Sequence, residues 1–520
     1  MKILFVTSRL ARPLLDIVLK EVEGLTDYRV FELSVPVASL ATTSLIAKEL
    51  SEHVGVLKNL DLIVIPGLSI GSAREVESRL GVRTLKGPRY LGDLPEMIKQ
   101  LKQGFDFSTE VPADDVMQGS LTNYYREKIS GVILSREPLF TLKNVKFTET
   151  PPPLNLFYEH LTSAGDELKA LLRKLSQLKQ LGYEGVVIGC EVECKALEVV
   201  ENFLELTSDS GFLAGVDLIY ESIPGNKLKD LLALSDLVFN VSSRNLDVVV
   251  NHLRKDQGVV VIPTEFSREV KMNEDITRTA TSLEDVGVRN ILVDVVVKPP
   301  MLGFVRSLLN LREAKRKLRY PLLFSPANVY ELMDVDTPGV VALLVDIGFE
   351  LGVSSMLITE SSVKARNVVF EASVSRELIY RAFIKMSPPI NQGVDLLLLK
   401  EKRGVSVQAP LVSDSLTHVI AGDASPKLDQ NYYVKIYVDL NQGYIIADVY
   451  RRASDELLKR YVGRKALEVG RTLVREYEML PDHVLYLGYE LSKAEAALKL
   501  GKSYVQDEDL FREIYSASPL

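Results

Sequence analysis

The chain has 520 residues, which is too long for one ordinary domain and predicts two to four domains. Hydrophobic residues make up 46% and charged residues 25%, as in globular proteins with a large core, and the net charge of −8 excludes a bulk attraction to nucleic acid or anionic lipid. The two cysteines, Cys190 and Cys194, exclude a disulfide scaffold and a four-cysteine zinc site. No apolar run is long enough to cross a membrane and no signal peptide is recognised, so we expect a cytoplasmic protein without a membrane partner.

The first part of the chain alternates apolar strands with amphipathic helices. Residues 2–7 and 60–66 are typical of buried strands, and residues 14–25 and 94–101 have helical spacing. Buried strands separated by helices indicate a parallel sheet that is covered on both faces. We therefore predict a small doubly wound α/β domain over residues 1–135, which includes a polar loop over residues 105–125.

From residue 154 the pattern becomes regular. Eight short apolar segments recur with helical stretches between them, at residues 154–159, 185–189, 216–221, 236–241, 258–263, 290–297, 320–325 and 354–359. Eight such units over about 235 residues predict a closed (β/α)8 barrel, which spans residues 150–390. An open doubly wound sheet is the alternative.

The last part of the chain, residues 391–520, predicts a third domain of the α+β type. Two alternating segments, 432–439 and 444–450, flank a short turn that contains Gly443, which is typical of a β-hairpin. Helical spacing follows, for example over residues 491–500.

Polar residues follow the predicted barrel strands, where the reacting groups of such barrels gather. They are Glu159, His160, Cys190, Glu191, Glu221, Asn240, Thr264, Glu265, Asp294, Lys298, Asn328 and Glu360. Asp294 is the strongest candidate for a functional role, because it lies in an apolar segment where an unpaired carboxylate is costly. Glu221 and Asn240 suit either ligand contact or loop capping. The spacing of Cys190 and Cys194 favours a structural pair over a metal site, so no metal is expected.

The segment after the eighth strand predicts an anion site. It opens a helix, and the free N–H groups and dipole of a helix N-terminus attract anions. Ser361, Ser362, Lys364 and Arg366 suit the binding of a phosphate there. The alternative is a well-capped helix with solvated cations.

Several stretches resemble the archaeal dihydropteroate synthase-related proteins. The most specific are residues 86–98 (KGPRYLGDLPEMI), 293–308, 327–344, 357–367 and 486–510. The likeness covers nearly the whole chain. It implies a barrel of the dihydropteroate synthase type between an N-terminal and a C-terminal extension.

The resemblance also implies a pterin site. Dihydropteroate synthase holds its pterin with an aspartate after the third strand, an asparagine on the fourth and an aspartate on the sixth, which correspond here to Glu221, Asn240 and Asp294. A carboxylate can accept two parallel hydrogen bonds from the amino group and the adjacent ring N–H of a pterin. Asn328 joins this set, and further site candidates are Asp336, Glu360 and Lys298.

The chain also departs from the synthase pattern. Val187 replaces a carboxylate on the second strand, and Ser325 and Ala327 replace the glycines of the turn after the seventh strand. The lysine after the seventh strand and the Arg-x-His pattern after the eighth strand of the synthase are absent. No residue is therefore assigned a catalytic role.

Three functions stay open at this point. The first is a synthase-like transferase that joins a dihydropterin methyl diphosphate to an arylamine, which carries a ribose phosphate in archaeal pathways; Mg²⁺ would accompany the diphosphate and no cofactor would be tightly bound. The second is a non-catalytic pterin-binding or one-carbon carrier protein, favoured by the departures, and the third is a scaffold with a vestigial site. No nucleic-acid partner is expected, and a homodimer is left open.

Overall fold

A computed structural model describes residues 1–20, 22–162, 168–190, 197–264, 269–400 and 427–511. The chain divides into two compact units, Met1–Leu396 and Leu397–Leu520. The candidate residues Glu191, Cys194 and Glu265 lie outside the described residues. Among the residues that are described, no helix has the length and apolar character needed to cross a membrane.

The first unit begins with a four-stranded parallel sheet in the order β2-β1-β3-β4. Its strands are β1 (Ile3–Ser8), β2 (Tyr28–Leu33), β3 (Leu62–Ile65) and β4 (Thr84–Lys86), and its helices are α1 (Arg12–Lys20), α2 (Thr43–Glu52), α3 (Ala73–Leu80), α4 (Leu94–Lys102), α5 (Ala113–Val116) and α6 (Gln118–Ser135). Side chains alternate between two buried layers, with Ile3 and Phe5 in one and Leu4 and Val6 in the other. The predicted doubly wound sheet is confirmed.

The predicted loop over residues 105–125 was wrong from residue 113 onward, where α5 and α6 form. Leu121, Tyr125 and Ile129 repeat at helical spacing within this polar segment and are buried. Leu121 and Tyr125 pack with the N-terminal sheet, and Ile129 packs with the barrel. The helix α6 therefore connects the N-terminal sheet to the barrel.

The predicted barrel is confirmed as a closed ring of eight parallel strands that pair in chain order. The strands are β7 (Asn155–Thr162), β8 (Gly185–Cys190), β9 (Leu213–Asp217), β10 (Leu237–Val241), β11 (Gly258–Val261), β12 (Asn290–Asp294), β13 (Leu322–Phe324) and β14 (Ser355–Thr359). The helices between and after them are α7 (Leu168–Gln180), α8 (Leu197–Asp209), α9 (Gly225–Leu234), α10 (Leu246–Val249), α11 (Glu269–Asp285), α12 (Phe304–Lys317), α13 (Ala327–Tyr330), α14 (Thr337–Glu350) and α15 (Val368–Lys385).

A hairpin closes the amino-terminal end of the barrel. Its strands are β5 (Pro138–Leu142) and β6 (Val145–Thr148). Phe147 is buried and its ring stacks on that of Phe157 with centroids 6.2 Å apart, and Leu142 belongs to the same interior cluster. Since this end is filled, only the carboxyl ends of the strands offer an open mouth.

Two strands end three or more residues before the predicted position. The third strand ends at Asp217 rather than at residue 221, and the sixth ends at Asp294 rather than at residue 297. In the sixth strand the chain turns at Val296, which has a φ of +55°, so Asp294 is the last strand residue and does not lie in mid-strand as predicted.

The N-terminal sheet is attached to the barrel by a buried ion pair. Asp93 and Lys385 form this pair at 3.0 Å with only 1% of each side chain exposed, and the hydroxyl of Tyr125 also donates to Asp93. A Cβ on Gly92 would come within 2.5 Å of the Lys385 backbone, so only glycine permits this approach. Gly92 and Asp93 belong to the family-like stretch 86–98, which therefore has a structural role as the joint between sheet and barrel.

The second unit contains an antiparallel sheet in the order β15-β16-β17, with two helices on one face. Its elements are β15 (Tyr432–Asp439), β16 (Tyr444–Arg451), β17 (Glu456–Gly463), α16 (Ala466–Glu476) and α17 (Pro481–Leu500). The predicted hairpin is confirmed, and β17 is a further strand that its pattern did not reveal. Val434, Ile436 and Ala447 pack against Leu473 and Leu491 in its core.

Replacing Lys385 with methionine should lower the stability of the first unit, because it leaves Asp93 buried without a cation. The expected loss in the free energy of unfolding is about 3–5 kcal/mol. It is measured as a fall in the midpoint temperature at which the first unit unfolds. The double variant D93N/K385M should recover most of the loss. Equal melting temperatures for wild type and K385M would contradict the structural role of the pair.

Candidate functional site

The open mouth of the barrel holds a pocket of about 380 Å³. Side chains from the ends of five strands and the turns after them line it, among them Glu159, Cys190, Asp217, Asn240 and Thr264. The position follows from the fold, since the hairpin fills the opposite end and the carboxyl ends of parallel strands meet here.

Three carboxylates point into the mouth, each joined to a donor on the neighbouring strand. The interior of the barrel is filled by Phe157, Leu213, Leu292, Leu323 and Leu357, and residues two or four positions later on the same strands also face inward. The pairs are Thr359 Oγ1 to Glu159 Oε2 at 2.6 Å, Asn240 Nδ2 to Asp217 Oδ2 at 2.6 Å, and Ser325 Oγ to Asp294 Oδ2 at 2.7 Å. We call these six residues the mouth ring.

Asn240 reaches the ring through an irregularity in β10. The pairing of β10 with β11 shifts between Val238 and Val241, and Asn240 has a φ of +58°. A bulge of this kind redirects a side chain. Phe239 and Asn240 can therefore both contribute to the interior although they are adjacent in sequence.

Burial raises the pKa values of the three carboxyl groups of the mouth ring. Desolvation, assisted by the charge of Glu159, raises the pKa of Asp217 to about 7, although the hydrogen bond from Asn240 opposes the shift. Desolvation likewise raises the pKa of Asp294 to about 6 against the hydrogen bonds from Ser325 and the Val296 N–H, and it raises the pKa of Glu159. The ring thus lacks a cation that would hold its carboxyls ionised.

Asp217 is the ring residue that sequence reasoning missed. The predicted third strand was displaced by three to four residues, which put Glu221 at its end. Glu221 instead lies in the 3-10 turn Tyr220–Ser222, where it is exposed and lines the outer part of the pocket. The alternation of Leu213, Gly215 and Asp217 with buried Ala214 and Val216 was the signal that could have found it.

Four other candidates are placed around the mouth but outside the ring. Asn328 donates from Nδ2 to the Val297 carbonyl at 2.9 Å, which ties the turn after β12 to α13. The backbone N–H of Lys298 donates to Ser307, and Asp336 is exposed before α14. Glu360 forms an ion pair with Lys174 at 2.6 Å and accepts the Val369 N–H. For Asn328 and Glu360 these contacts give structural roles.

The predicted anion segment already holds a carboxylate of the chain. Glu331 accepts the N–H of Ser361 at 2.8 Å, the N–H of Ser362 at 3.4 Å and the hydroxyl of Ser362. Lys364 donates to the Met333 carbonyl and pairs with Asp334 at 3.1 Å. A phosphate at this position would therefore have to displace Glu331.

The local backbone also differs from the expected helix start. Residues Val363–Ala365 form a single 3-10 turn, and α15 begins only at Val368. The Nη1 atom of Arg366 is buried without a hydrogen-bond partner among the described residues. The prediction that this segment opens a helix directly was wrong, and its phosphate remains a prediction.

Replacing Asp217 with asparagine should stabilise the protein at alkaline pH. The folded-state pKa of about 7 lies above the ordinary value of 3.8, so the proton stabilises the fold below about pH 4 and this contribution is lost as the pH rises through 7. At pH 8 the variant should gain about 1–2 kcal/mol in the free energy of unfolding, and its melting temperature should fall less between pH 5 and 8. The exposed Asp285 is the control, and D285N should follow wild type. A steeper pH dependence in D217N would refute the buried, charged state.

Two sequence families match the ends of the chain. Residues 428–507 match PterinBD-DUF4346, and residues 1–89 match a family of unknown function, DUF6513. Over nearly its full length the chain is similar to Uncharacterized protein MJ0107 of Methanocaldococcus jannaschii, with 27% identity over 533 residues that cover 98% of this chain and 99% of the relative.

Solved structures with a similar barrel include dihydropteroate synthases. The enzyme from Vibrio fischeri is 13% identical with a TM-score of 0.36, and the match covers 48% of this chain and 98% of that chain. The enzyme from Xanthomonas albilineans is 13% identical with a TM-score of 0.32, and the match covers 44% and 92%. The fold itself is established by the strand pairing described above. The chain is thus similar over nearly its full length to the archaeal protein MJ0107, and its C-terminal residues match PterinBD-DUF4346; the predicted resemblance to the archaeal dihydropteroate synthase-related proteins is confirmed to that extent.

Proposed function

We propose that the six residues of the mouth ring bind the bicyclic group of a reduced pterin. The observation that carries the proposal is a pair of inward-facing carboxylates without a cationic partner among the described residues: Asp217, half-buried beside Asn240, and Asp294, buried beside Ser325. Each carboxylate can accept more hydrogen bonds than the protein supplies, and a pterin offers an amino group and ring N–H groups. The match to PterinBD-DUF4346 supports a pterin as the ligand, although it covers the C-terminal residues rather than the barrel.

The bound ring would complete the hydrogen bonding of the mouth. Asp294 already accepts from Ser325 and the Val296 N–H, and Asp217 accepts from Asn240. Donors from a ligand would favour the ionised carboxylates and so lower their raised pKa values. The ligand would thereby offset part of the cost of burying these charges.

A synthase-like transferase is the second candidate. It is favoured by the extension of the pocket beyond the ring to Glu221, Arg244 and Thr264, which leaves room for a substituent or a second substrate. In this case the site would position a dihydropterin methyl diphosphate for attack by an arylamine, and Mg²⁺ would accompany the diphosphate. Without turnover, the same site would serve a pterin carrier.

Asp294→Asn should weaken pterin binding and leave the fold intact. The amide replaces one acceptor oxygen with a donor that opposes the N–H groups of the ligand. The loss of a charge-assisted hydrogen bond costs about 1.5–3 kcal/mol, which corresponds to a ten- to hundredfold rise in Kd. Calorimetric titration of a reduced pterin into both proteins, with thermal unfolding alongside, measures the two effects. Unchanged affinity with a large fall in melting temperature would identify Asp294 as a purely structural carboxylate.

Turnover distinguishes the transferase from the carrier. We expect diphosphate release when the protein is mixed with 6-hydroxymethyl-7,8-dihydropterin diphosphate, Mg²⁺ and an arylamine, with p-aminobenzoate and a ribose phosphate-bearing arylamine tested separately. D217N should abolish the release, because the pterin would lose an anchoring carboxylate. Tight pterin binding without any diphosphate release would support the carrier and exclude the transferase for these substrates.

A further inference from the structure

One cation of the pocket has no partner among the residues that the structure describes. Among the described residues that line the pocket, Arg244 is the only lysine or arginine, and it is exposed. No hydrogen bond or ion pair joins its side chain to another described residue. Glu159, Asp217 and Glu221 line the same pocket, yet none of them forms an ion pair with it.

The turn that carries Arg244 is fixed on both sides. Asn245 accepts the Ser242 N–H at 2.9 Å and donates from Nδ2 to the Asn240 carbonyl at 3.0 Å, which links the turn to the mouth ring. The hydroxyl of Ser243 donates to Asp275 at 3.0 Å. Arg244 therefore extends from a backbone that is held in place, although its own side chain forms no hydrogen bond or ion pair with the described residues.

Asp275 joins this turn to the next strand end. It accepts the N–H of Thr264 at 2.7 Å and the Thr264 hydroxyl at 2.6 Å in addition to Ser243. Thr264 also lines the pocket. One buried carboxylate thus sets the spacing between the turns after β10 and β11, and Arg244, which follows Ser243, is exposed and lines the pocket at this rim.

Among the described residues, the opposite side of the mouth offers no cation that is both unpaired and exposed, since the unpaired Nη1 atom of Arg366 is buried. There the Ser361 and Ser362 amides bind Glu331, Lys364 is paired with Asp334, and Glu360 is paired with Lys174. An anionic ligand would have to break these contacts on the β14 side but none on the β10 side. Charge balance therefore favours the β10 rim.

We infer that Arg244 binds an oxyanion substituent, a carboxylate or a phosphate, of the ligand whose pterin ring lies against the mouth ring. The inference rests on the proposed function. It adds that the ligand carries a negatively charged substituent and that this substituent points toward Arg244. The guanidinium can bind either oxyanion with two parallel hydrogen bonds. The ligand would extend from Asp217 and Asn240 toward Arg244 and not toward Ser361.

The test compares ligands that share the dihydropterin ring and differ in the substituent on it, which is uncharged, a diphosphate or a benzoate. Kd values are measured by calorimetry for 6-hydroxymethyl-7,8-dihydropterin, its diphosphate and dihydropteroate, each with wild type, R244M and R244K. R244M should raise the Kd of either charged ligand about tenfold or more and leave that of the uncharged ligand unchanged. R244K should restore part of the loss, because it keeps the charge without the bidentate geometry. The diphosphate and dihydropteroate arms separate phosphate from carboxylate.

A matched control is R306M, since Arg306 is an exposed arginine on α12 that does not line the pocket. It should leave all three Kd values unchanged. Loss of charged-ligand affinity in K364M but not in R244M would overturn the inference and place the anion on the β14 side. Equal affinities of R244M and wild type for the charged ligands would make Arg244 a surface residue. A wild type that binds none of the three ligands would contradict the proposed pterin function itself, which separates the two failures.

Discussion

The burial of three carboxylates in the mouth of the barrel is the constraint on which the site depends. Asp294 is buried and Glu159 and Asp217 are half-buried, and each receives a hydrogen bond from a residue of the adjacent strand or its end but pairs with no cation among the described residues. Burying such groups is costly, and the cost appears as raised pKa values. A structure that needed only stability would place apolar residues here, so the arrangement favours a ligand that supplies N–H donors.

The rest of the first unit holds this mouth open and in register. The hairpin fills the other end of the barrel with Phe147 and Leu142. The apolar side chains of the interior pack between this hairpin and the mouth ring. The joint formed by Gly92, Asp93 and Lys385 attaches the N-terminal sheet to the last barrel helix, away from the strand ends. The charged stretch 86–98 thus has a structural role, because its buried ion pair holds the N-terminal sheet against the barrel.

The two sides of the mouth differ in how their charges are balanced. On the β14 side the chain supplies both partners of each contact, as with Glu331 against Ser361 and Lys174 against Glu360. On the β10 side Arg244 has no partner within the described part of the chain, although the turn that carries it is fixed by Asn245. Anion recognition at the mouth would therefore use a different strand end from the one that the sequence predicted. The physical basis is simple: an amide that already binds a carboxylate is not free for phosphate.

The sequence alone determined the architecture, because the buried parallel strands recur as apolar segments and the hairpin of the second unit alternates with period two. It also singled out Asp294, because a carboxylate within an apolar segment is costly unless it has a partner, and the family resemblance added Asn240. It misplaced the third strand, because the apolar run extends past Asp217 into the turn and hides where pairing stops. Only the tertiary structure decided that Asp217 rather than Glu221 enters the ring, that a bulge turns Asn240 inward, and that Glu331 fills the anion segment. These are contacts between residues that are distant in the chain, and local sequence patterns do not determine which of these contacts form.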